Sequence, residues 1–348
     1  MNQSTMNRST TQPNRFRKYL IRGVLATVLI WVGGDFLYSQ VIEYRLQQWE
    51  RTIERDFRGV QKNFTAYSEG EGETAILMVH GFNDSPSAYH KISPQLAARG
   101  FHCRVTRLPG FAKPVHEYGL STAEQWTAHV AEEISQLRQS YDRVWVMAHS
   151  LGGATTINVV LEQHPEIDGL ILLAPAIDVS SRRSPLLPTR TWHEVGQKLL
   201  LFTTVTENPF SVDVKDHAEA RRTDRCKFSC LSTVDQMFTL IDANRDRAAE
   251  IQLPTLMVLS GDDRVVDSEA CQTWFESMGS QHKQLVVNAR AGHALPYDFG
   301  WETIVDETVN FIERQAESGT TEKQPENQPV QQQLTLSLIH ISEPTRPY

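Results

Sequence analysis

Ser150 has the sequence setting of a nucleophile. It lies in the segment Met-Ala-His-Ser-Leu-Gly-Gly at residues 147–153, where an apolar run changes abruptly into a helical pattern. Small residues two positions before and two positions after a serine allow a strand and a helix to approach closely, and they leave the hydroxyl exposed on a strained turn. Ala148 stands where glycine is usual, and one methyl group is the smallest departure. The simpler alternative is a Ser-Gly turn that only caps a helix, so the interpretation depends on partners elsewhere in the chain.

His293 is the residue that we expect to act as the base. A serine hydroxyl is a poor nucleophile at neutral pH unless a base, itself oriented by an acid, accepts its proton. His293 follows the last apolar run, within Ala-Gly-His-Ala-Leu-Pro, and precedes the last helical pattern. Of the competing histidines, His80 and His149 adjoin other motifs and are expected to shape loops, His164 ends a predicted helix, and His282 precedes the last strand.

The acid is expected in the segment Leu-Ser-Gly-Asp-Asp-Arg-Val-Val-Asp, which follows the penultimate apolar run. We choose Asp263, which directly precedes Arg-Val-Val. Asp262 and Asp267 remain local alternatives, and Asp178, after the preceding strand, is a more distant one. The nucleophile, the acid and the base then follow one another along the chain in the order found in hydrolases with a nucleophile elbow.

Two backbone N–H groups are expected to face the oxyanion that acyl transfer creates. One belongs to Leu151, directly after the serine. The other is expected in the loop that follows the first clear strand, His-Gly-Phe-Asn-Asp-Ser, where Phe82 is the expected donor and Gly81 allows a close approach of the backbone. Because both donors are main-chain groups, a change of either side chain need not remove them.

The chain between these residues alternates between buried strands and helical patterns. Strands are predicted at residues 74–80, 101–107, 143–148, 169–174, 254–260 and 283–288. Helices are predicted at residues 87–99, 122–138, 151–164 and 301–314. This alternation indicates an α/β fold with a mostly parallel sheet and helices on both faces.

The interval 178–252 interrupts the alternation, because it holds helical pieces but no strand-like apolar run. We interpret it as a helical cap, inserted between two late strands and lying over the ends of the strands. Two cysteines, Cys226 and Cys230, fall within it. They form either a local disulfide, if the domain is extracytoplasmic, or two reduced thiols on one face of a helix.

Together these motifs resemble the α/β-hydrolase superfamily, and within it the branch of carboxylesterases, lysophospholipases and monoacylglycerol lipases. The resemblance runs from about residue 64 to residue 314 and is carried by His-Gly-Phe at 80–82, Ala-His-Ser-Leu-Gly-Gly at 148–153, Asp-Arg-Val-Val at 263–266 and Gly-His at 292–293. It implies a nucleophile at Ser150, an acid at Asp263, a base at His293, and oxyanion donors at Phe82 and Leu151. It also implies no metal and no cofactor. The Gly-His-Gly that the family usually has after its second strand is replaced here by Leu-Pro-Gly-Phe-Ala-Lys.

Composition excludes several classes of protein. The 348 residues include 34 Lys and Arg and 42 Asp and Glu, which gives a formal net charge of −8, and 40% of the residues are hydrophobic. This hydrophobic content argues against wholesale disorder, and the acidic balance argues against a nucleic-acid partner. Four cysteines are too few for a disulfide scaffold.

The N-terminus is different in character from the rest. Residues 1–22 carry five basic side chains and no acidic one, and a twelve-residue uncharged apolar run follows. This pattern is typical of a signal peptide or of an uncleaved signal anchor. We favour an anchor at residues 23–38 with Asp35 near the interface, followed by a charged helical spacer at 39–62 and a hydrolase domain at 63–315. The domain would be extracytoplasmic, periplasmic in a bacterium; a cleaved signal with secretion, or an apolar helix packed on the domain, are the alternatives.

Residues 316–348 are predicted to form a disordered tail, because residues 316–335 lack the apolar content needed to fold. The composition changes abruptly at Leu336, and the segment 336–348 resembles the translation of a sequencing adapter. We interpret that segment as an assembly artefact, with a natural apolar tail as the alternative.

The resemblance and the N-terminal pattern together predict a membrane-anchored serine hydrolase that cleaves carboxylic esters through an acyl-enzyme. The expected partners are a small-molecule or lipid ester and, through the N-terminal segment, a membrane. A peptidase or thioesterase on the same fold is one alternative. A non-catalytic, hydrolase-like scaffold that binds a ligand is another.

Overall fold

A computed structural model describes residues 15–184, 186–208, 212–222, 225–321 and 336–337, and its core is a single large sheet. The strands of this sheet are β1 Tyr67–Glu69, β2 Thr74–Val79, β3 Phe101–Thr106, β4 Arg143–His149, β5 Gly169–Leu173, β8 Thr255–Ser260, β9 Lys283–Asn288 and β10 Leu336–Ser337. Their order is β1-β3-β2-β4-β5-β8-β9-β10. The pair β1–β3 is antiparallel and the pairs between the other described strands are parallel. The mostly parallel sheet expected from the sequence is therefore confirmed.

Ten helices and one small hairpin accompany the sheet within the described residues. The helices are α1 Arg15–Glu50, α2 Ile92–Ala98, α3 Val115–Tyr118, α4 Ala123–Arg138, α5 Leu151–Gln163, α6 Thr189–Leu199, α7 His217–Arg222, α8 Leu231–Asn244, α9 Ser268–Glu276 and α10 Trp301–Thr321. The hairpin consists of the antiparallel strands β6 Val205–Glu207 and β7 Phe228–Cys230. Short 3₁₀ turns lie at Pro86–Tyr89, Ser181–Arg183 and Ala248–Glu250.

The central strands are apolar throughout because helices cover both faces of the sheet. Every residue of β2, β5 and β8 is buried, and the side chains of alternate residues enter two separate cores, one on each face. Such continuous apolar runs are what two-sided burial requires. The edge strand β1 escaped prediction because its three residues are mixed in polarity and only partly buried.

The cap is smaller than the sequence indicated. Helix α8 was expected to belong to it, but Phe238, Leu240 and Ile241 are buried in the same core as α4 and α5. Asn244 at the end of α8 also donates a side-chain hydrogen bond to the carbonyl oxygen of Ala154, over 2.8 Å. The boundary at residue 252 was therefore wrong, and the cap lies between β5 and the start of α8. It also holds the β6–β7 hairpin, whose three-residue strands are too short to show a strand pattern.

Cys226 lies two residues before strand β7, and Cys230 is the last residue of that strand. The expectation that the two cysteines share one face of a helix was therefore wrong. Both cysteines are free. Each thiol donates to a backbone carbonyl oxygen 3.2 Å away, that of Phe228 from Cys226 and that of Val115 from Cys230. Burial raises the pKa of the Cys226 thiol to about 11 and that of Cys230 to about 12. Both thiols are therefore protonated at neutral pH.

Helix α1 is continuous from Arg15 to Glu50, so it runs through the expected anchor and into the expected spacer. It is the one described helix that is long and apolar enough to cross a membrane. Its side chains between residues 19 and 31 are exposed, whereas Ile42 and Leu46 are buried against the cap hairpin and α3. The helix ends at Glu50 rather than at residue 62, because the following residues turn back and pair Arg55 with Gln61.

The C-terminal helix α10 extends to Thr321, seven residues beyond its predicted end. Leu336 and Ser337 pair in parallel with Leu285 and Val286 of β9. The rest of the predicted tail, residues 322–335 and 338–348, lies outside the described residues. The interpretation of residues 336–348 as an artefact therefore stays a prediction.

Candidate active site

Ser150 occupies a sharp, strained turn between β4 and α5. Its backbone has φ +52° and ψ −117°, a left-handed conformation that residues other than glycine rarely adopt. Two hydrogen bonds hold the turn in place. The Ser150 N–H donates to the carbonyl oxygen of Leu173 over 3.0 Å, and the Ala176 N–H donates to the carbonyl oxygen of Ser150, also over 3.0 Å. The strain is thus fixed by the neighbouring strand β5, as is common at functional sites.

Glycine is required on both sides of Ser150 because the start of α5 and the loop after β2 approach each other closely there. A Cβ atom on Gly152 would lie 2.4 Å from the carbonyl oxygen of Val79 and 2.6 Å from that of His80. A Cβ on Gly81 would lie 3.1 Å from the Cβ of Ser150. The loop after β2 and the start of α5 therefore lie directly against each other, beside the serine.

A continuous hydrogen-bonded chain joins the serine to a histidine and an aspartate. His293 Nε2 lies 2.9 Å from Ser150 Oγ, and His293 Nδ1 lies 2.8 Å from Asp263 Oδ2. Asp263 Oδ1 accepts the N–H groups of Val265 and Val266, over 2.7 and 2.8 Å. This is the order of nucleophile, base and orienting acid that activates a serine.

The other three carboxylates considered from the sequence do not contact His293. Asp262 pairs with Arg182 and Lys215, and Asp267 caps α9 by accepting two N–H groups of its first turn. Asp178 is partly exposed and lies 3.5 Å from Arg245. Of the four candidates, the structure brings only Asp263 to the histidine.

Asp263 remains ionised in this setting. Burial by itself would raise the pKa of its carboxyl. The electrostatic interaction and the hydrogen bond with His293, together with the two backbone N–H groups, outweigh burial and hold the pKa of Asp263 below its usual value. A carboxylate there accepts the Nδ1–H of His293, which leaves Nε2 free to accept the proton of the Ser150 hydroxyl.

The two histidines next to the motifs organise the loops. His149 Nε2 donates to the carbonyl oxygen of His293, over 3.0 Å, and its ring centroid lies 4.9 Å from that of His293. His80 Nδ1 donates to the carbonyl oxygen of Gly81, and its Nε2 accepts the N–H of Leu108 over 3.2 Å. Burial lowers the pKa of His80 to about 4 and that of His149 well below its usual value. Both rings are therefore neutral at physiological pH.

Phe82 and Leu151 carry the two N–H groups expected to bind an oxyanion. Neither N–H donates to an acceptor in the described part of the chain. The peptide group between Gly81 and Phe82 is fixed by the bond from His80 to the Gly81 carbonyl oxygen. Because the N–H and C=O of a trans peptide point in opposite directions, that bond also sets the direction of the Phe82 N–H.

Arg225 of the cap holds the same loop from its other side. Its guanidinium donates to the carbonyl oxygens of Phe82, over 2.8 Å, and Asn83, over 3.5 Å. It also lies 3.7 Å from the carboxylate of Asp84, and the Cys226 N–H donates to the Asn83 carbonyl oxygen. The conformation of the loop after β2 therefore depends on the cap.

Two aspartates join the loops that carry Asp263 and His293. Asp213 accepts the N–H groups of Arg264 and His293 on one carboxylate oxygen, over 2.9 and 3.1 Å. The buried Asp298 accepts four N–H groups, at 2.7 to 2.8 Å, those of Gly292, Lys215, Asp216 and Phe299. Reasoning from the sequence missed Arg225, Asp213 and Asp298, because their partners are backbone groups that leave no residue pattern.

A protein-family model described as "Serine aminopeptidase, S33" matches residues 70–299. The matched region begins just before β2 and includes the cap, the serine, the histidine and the aspartate. Helix α1 lies outside it. The match therefore concerns the domain that carries the site, and not the apolar N-terminal helix.

Two named relatives and one solved structure illustrate the similarity. The thermostable monoacylglycerol lipase of Bacillus sp. strain H-257 is 24% identical over 72% of this chain and 94% of its own length. Phospholipase YtpA of Bacillus subtilis strain 168 is 24% identical over 60% of this chain and 83% of its own. The crystal structure of Paleococcus ferrophilus monoacylglycerol lipase superposes with a TM-score of 0.60 at 20% identity, over 71% of this chain and 98% of that one. The last similarity shows that the fold is that of the α/β hydrolases.

Proposed function

The chain belongs to the serine aminopeptidase S33 family of α/β hydrolases, and we propose that it cleaves carboxylic esters, acyl and lipid esters in particular. The observation that carries the proposal is the hydrogen-bonded chain from Ser150 through His293 to Asp263. It provides a nucleophile, a base and an orienting carboxylate on three different loops of one rigid sheet.

In the first half of the proposed reaction, Ser150 Oγ attacks the ester carbonyl carbon while His293 Nε2 takes the hydroxyl proton. The negative charge that develops on the carbonyl oxygen is bound by the N–H groups of Phe82 and Leu151. Asp263 stabilises the imidazolium through Nδ1–H. The C–O bond of the ester then breaks, and His293 returns its proton to the departing alkoxide, which leaves as an alcohol.

In the second half, a water molecule attacks the acyl-enzyme. His293 Nε2 takes one proton from that water, and the tetrahedral intermediate is again bound by the two N–H groups. The bond to Ser150 Oγ breaks, the serine regains a proton from His293, and the carboxylic acid is released. The cycle consumes one water per ester and requires only groups that belong to this chain.

The relatives support an ester rather than an amide as substrate, because two of those named above are described as a lipase and a phospholipase. Apolar side chains on the cap, six of which are exposed, are consistent with a substrate that carries an acyl chain. The name of the family makes an aminopeptidase the alternative to be tested.

Helix α1 supports attachment to a membrane. Its residues from 23 to 31 are exposed and uncharged, most of them apolar, and its basic flank lies at the N-terminal end. The helix continues without a break into a segment that packs on the cap, which favours an anchor that is retained over one that is cleaved. The positive flank favours a catalytic domain on the extracytoplasmic side.

Labelling by a fluorophosphonate probe tests the proposal. We expect the native chain to be labelled and the Ser150→Ala variant to remain unlabelled, with Ser277→Ala on the exposed end of α9 as the matched control. Hydrolysis of p-nitrophenyl esters of increasing chain length, compared with that of aminoacyl p-nitroanilides, then identifies the substrate class. Absence of labelling in the native chain would overturn the catalytic role, and faster hydrolysis of the anilides would overturn the ester preference.

A further inference from the structure

Exposed apolar side chains are concentrated on one part of the cap, in and around α6. Side chains that are 39–80% exposed there are those of Leu186, Leu187, Trp192, Leu199, Leu201 and Phe202, which we name the cap edge. Trp192 and Leu199 lie seven residues apart on α6 and therefore on one face of the helix. Clustered apolar side chains on a surface mark a site of interaction, unlike the single ones scattered over any protein.

The cap edge lies beside the apolar part of α1. The indole Nε1 of Trp31 donates to the carbonyl oxygen of Leu199, over 2.9 Å. The rings of Phe36 and Phe202 meet edge to face, with their centroids 5.6 Å apart. Two contacts from different turns of α1 thus place the end of α6 against the helix between residues 31 and 36.

Asp35 fixes this arrangement. Its carboxylate accepts the N–H groups of Leu201 and Phe202, over 2.7 and 2.8 Å, and the hydroxyl of Thr203, over 2.7 Å. The side chain is 6% exposed although the helix around it is not buried. The one acidic residue of the apolar segment therefore accepts three hydrogen bonds from the cap, which compensate in part for its removal from water.

The length of α1 sets the level of the membrane surface. From Lys18 to Asp35 the helix rises about 26 Å, close to the roughly 30 Å of a hydrocarbon core. A bilayer crossed by this segment with Lys18 at one boundary therefore has its other boundary close to Asp35. The end of the cap edge that is held at Asp35, from Leu199 to Phe202, lies at that same boundary.

We propose that the cap edge is inserted into the boundary between headgroups and acyl chains of the bilayer that α1 spans. This inference rests on the membrane attachment proposed above and extends it from the helix to the hydrolase domain. Transfer of apolar side chains out of water lowers the free energy, and tryptophan is favoured at the membrane interface. The occupant of the surface is thus lipid, and the cap is fixed against it by Asp35.

Fluorescence from labelled single positions tests the insertion in the full chain. The chain is placed in phosphatidylcholine vesicles with Leu201→Cys or Leu187→Cys carrying an environment-sensitive dye, and lipids brominated on the acyl chain serve as quencher. Phe57→Cys is the matched control, because Phe57 is 96% exposed and follows the far end of α1. The unsubstituted chain, with its four largely buried cysteines, gives the background of labelling.

We expect the emission at positions 201 and 187 to be quenched at least about twofold more than that at position 57. Equal quenching at all three positions would overturn the proposal. Asp35→Ala, checked for folding by thermal melting, is expected to reduce the quenching at position 201, because it releases the loop from the helix. Unchanged quenching would contradict the role given to Asp35.

The test of the insertion can be separated from the tests of the membrane anchor and of the ester-cleaving activity. Flotation of the chain with vesicles tests the anchor alone, and a chain that does not float would overturn both the anchor and the insertion. Activity is measured as the ratio of hydrolysis of a vesicle-embedded ester to that of a soluble one. This ratio is expected to fall about tenfold in Leu199→Glu/Leu201→Glu and to stay unchanged in Phe57→Glu. If the chain cleaves neither ester, the fluorescence measurement still decides the insertion.

Discussion

Arg225 donates a hydrogen bond to the backbone carbonyl oxygen of Phe82, over 2.8 Å, and so joins the cap to the loop after β2. On the side of the loop next to Ser150, His80 donates to Gly81. The peptide group that carries the Phe82 N–H is thus held between two fixed points. The cap therefore contributes to the geometry of the site itself.

Replacing Arg225 is expected to impair turnover more than substrate binding. We expect Arg225→Gln to lower kcat about 10- to 100-fold with little change in KM, since loss of one oxyanion donor costs about 10²- to 10³-fold and a misplaced donor part of that. The exposed Arg221→Gln in α7 is the control. Steady-state kinetics on a p-nitrophenyl ester, at a temperature where both variants are folded, provide the measurement. A raised KM with unchanged kcat would instead assign Arg225 to substrate binding.

Asp263→Asn is expected to lower kcat by about 10⁴-fold. The amide removes the negative charge and favours the wrong tautomer of His293, as in other hydrolases with this arrangement. Asp262→Asn is the control, because Asp262 adjoins Asp263 in sequence but pairs with Arg182 and Lys215 instead. A loss confined to Asp262→Asn would show that the acid had been assigned to the wrong aspartate.

Gly152→Ala is expected to disrupt the turn at Ser150. The added methyl group would lie 2.4 Å from a carbonyl oxygen of β2, and neither backbone segment can move without separating the sheet from α5. We expect a loss of activity together with a lower melting temperature. Gly196→Ala in α6 meets only a leucine methyl group at 3.7 Å, and should leave stability equal or raise it by about 0.5–1 kcal/mol. Thermal melting of the two variants, side by side, checks the contrast.

Asp298→Asn is expected to destabilise the loop that carries His293. The carboxylate of Asp298 accepts backbone N–H groups, and the NH₂ group of an asparagine cannot accept them. Buried N–H donors would then be unpaired, which is expected to lower the free energy of unfolding by about 2–4 kcal/mol. Asp306→Asn, which loses an exposed pair with Arg99, should change stability by at most about 1 kcal/mol. Urea unfolding gives both values, and equal effects would refute the role of Asp298.

Stability is expected to fall as the pH is lowered from about 6.5 to about 4. The native chain keeps His80 neutral down to a pKa of about 4, whereas an unfolded histidine takes up a proton near pH 6.5. The unfolded state therefore binds more protons over this range, and the free energy of unfolding falls by up to about 1.4 kcal/mol per pH unit for each such histidine. His149 acts in the same direction, because burial also lowers its pKa.

Urea unfolding at pH 7, 6 and 5 measures this dependence. The slope against pH should be shallower in His80→Asn than in the native chain by about one proton. The contribution is complete above pH 6.5 and is lost toward pH 4. An equal slope in His80→Asn and the native chain would mean that His80 titrates alike in the two states.

The meeting of Ser150, Asp263 and His293 could be predicted because each follows the carboxyl end of a parallel strand. The strands are β4, β8 and β9, and their carboxyl ends lie at one edge of the sheet. Continuous apolar runs identify such strands, and the residue types after them suggest the chemistry. The sheet and the positions of these residues are thus encoded locally.

The extent of the cap could not be predicted in this way. An amphipathic helix such as α8 has the same sequence pattern whether it belongs to the cap or to the body. Only its packing against α5 shows that it belongs to the body. In α1, likewise, the pattern does not reveal that Asp35 finds its donors at Leu201 and Phe202, more than 160 residues away.

The contacts of Asp213, Lys215 and Asp216, in the middle of the cap, have a consequence for how this domain can diversify. Asp213 accepts the N–H of His293, while the N–H groups of Lys215 and Asp216 are accepted by Asp298 of the body. This middle segment of the cap is therefore part of the frame of the histidine loop. A cap of another shape can replace the present one only if it still supplies a carboxylate and two N–H groups to that loop.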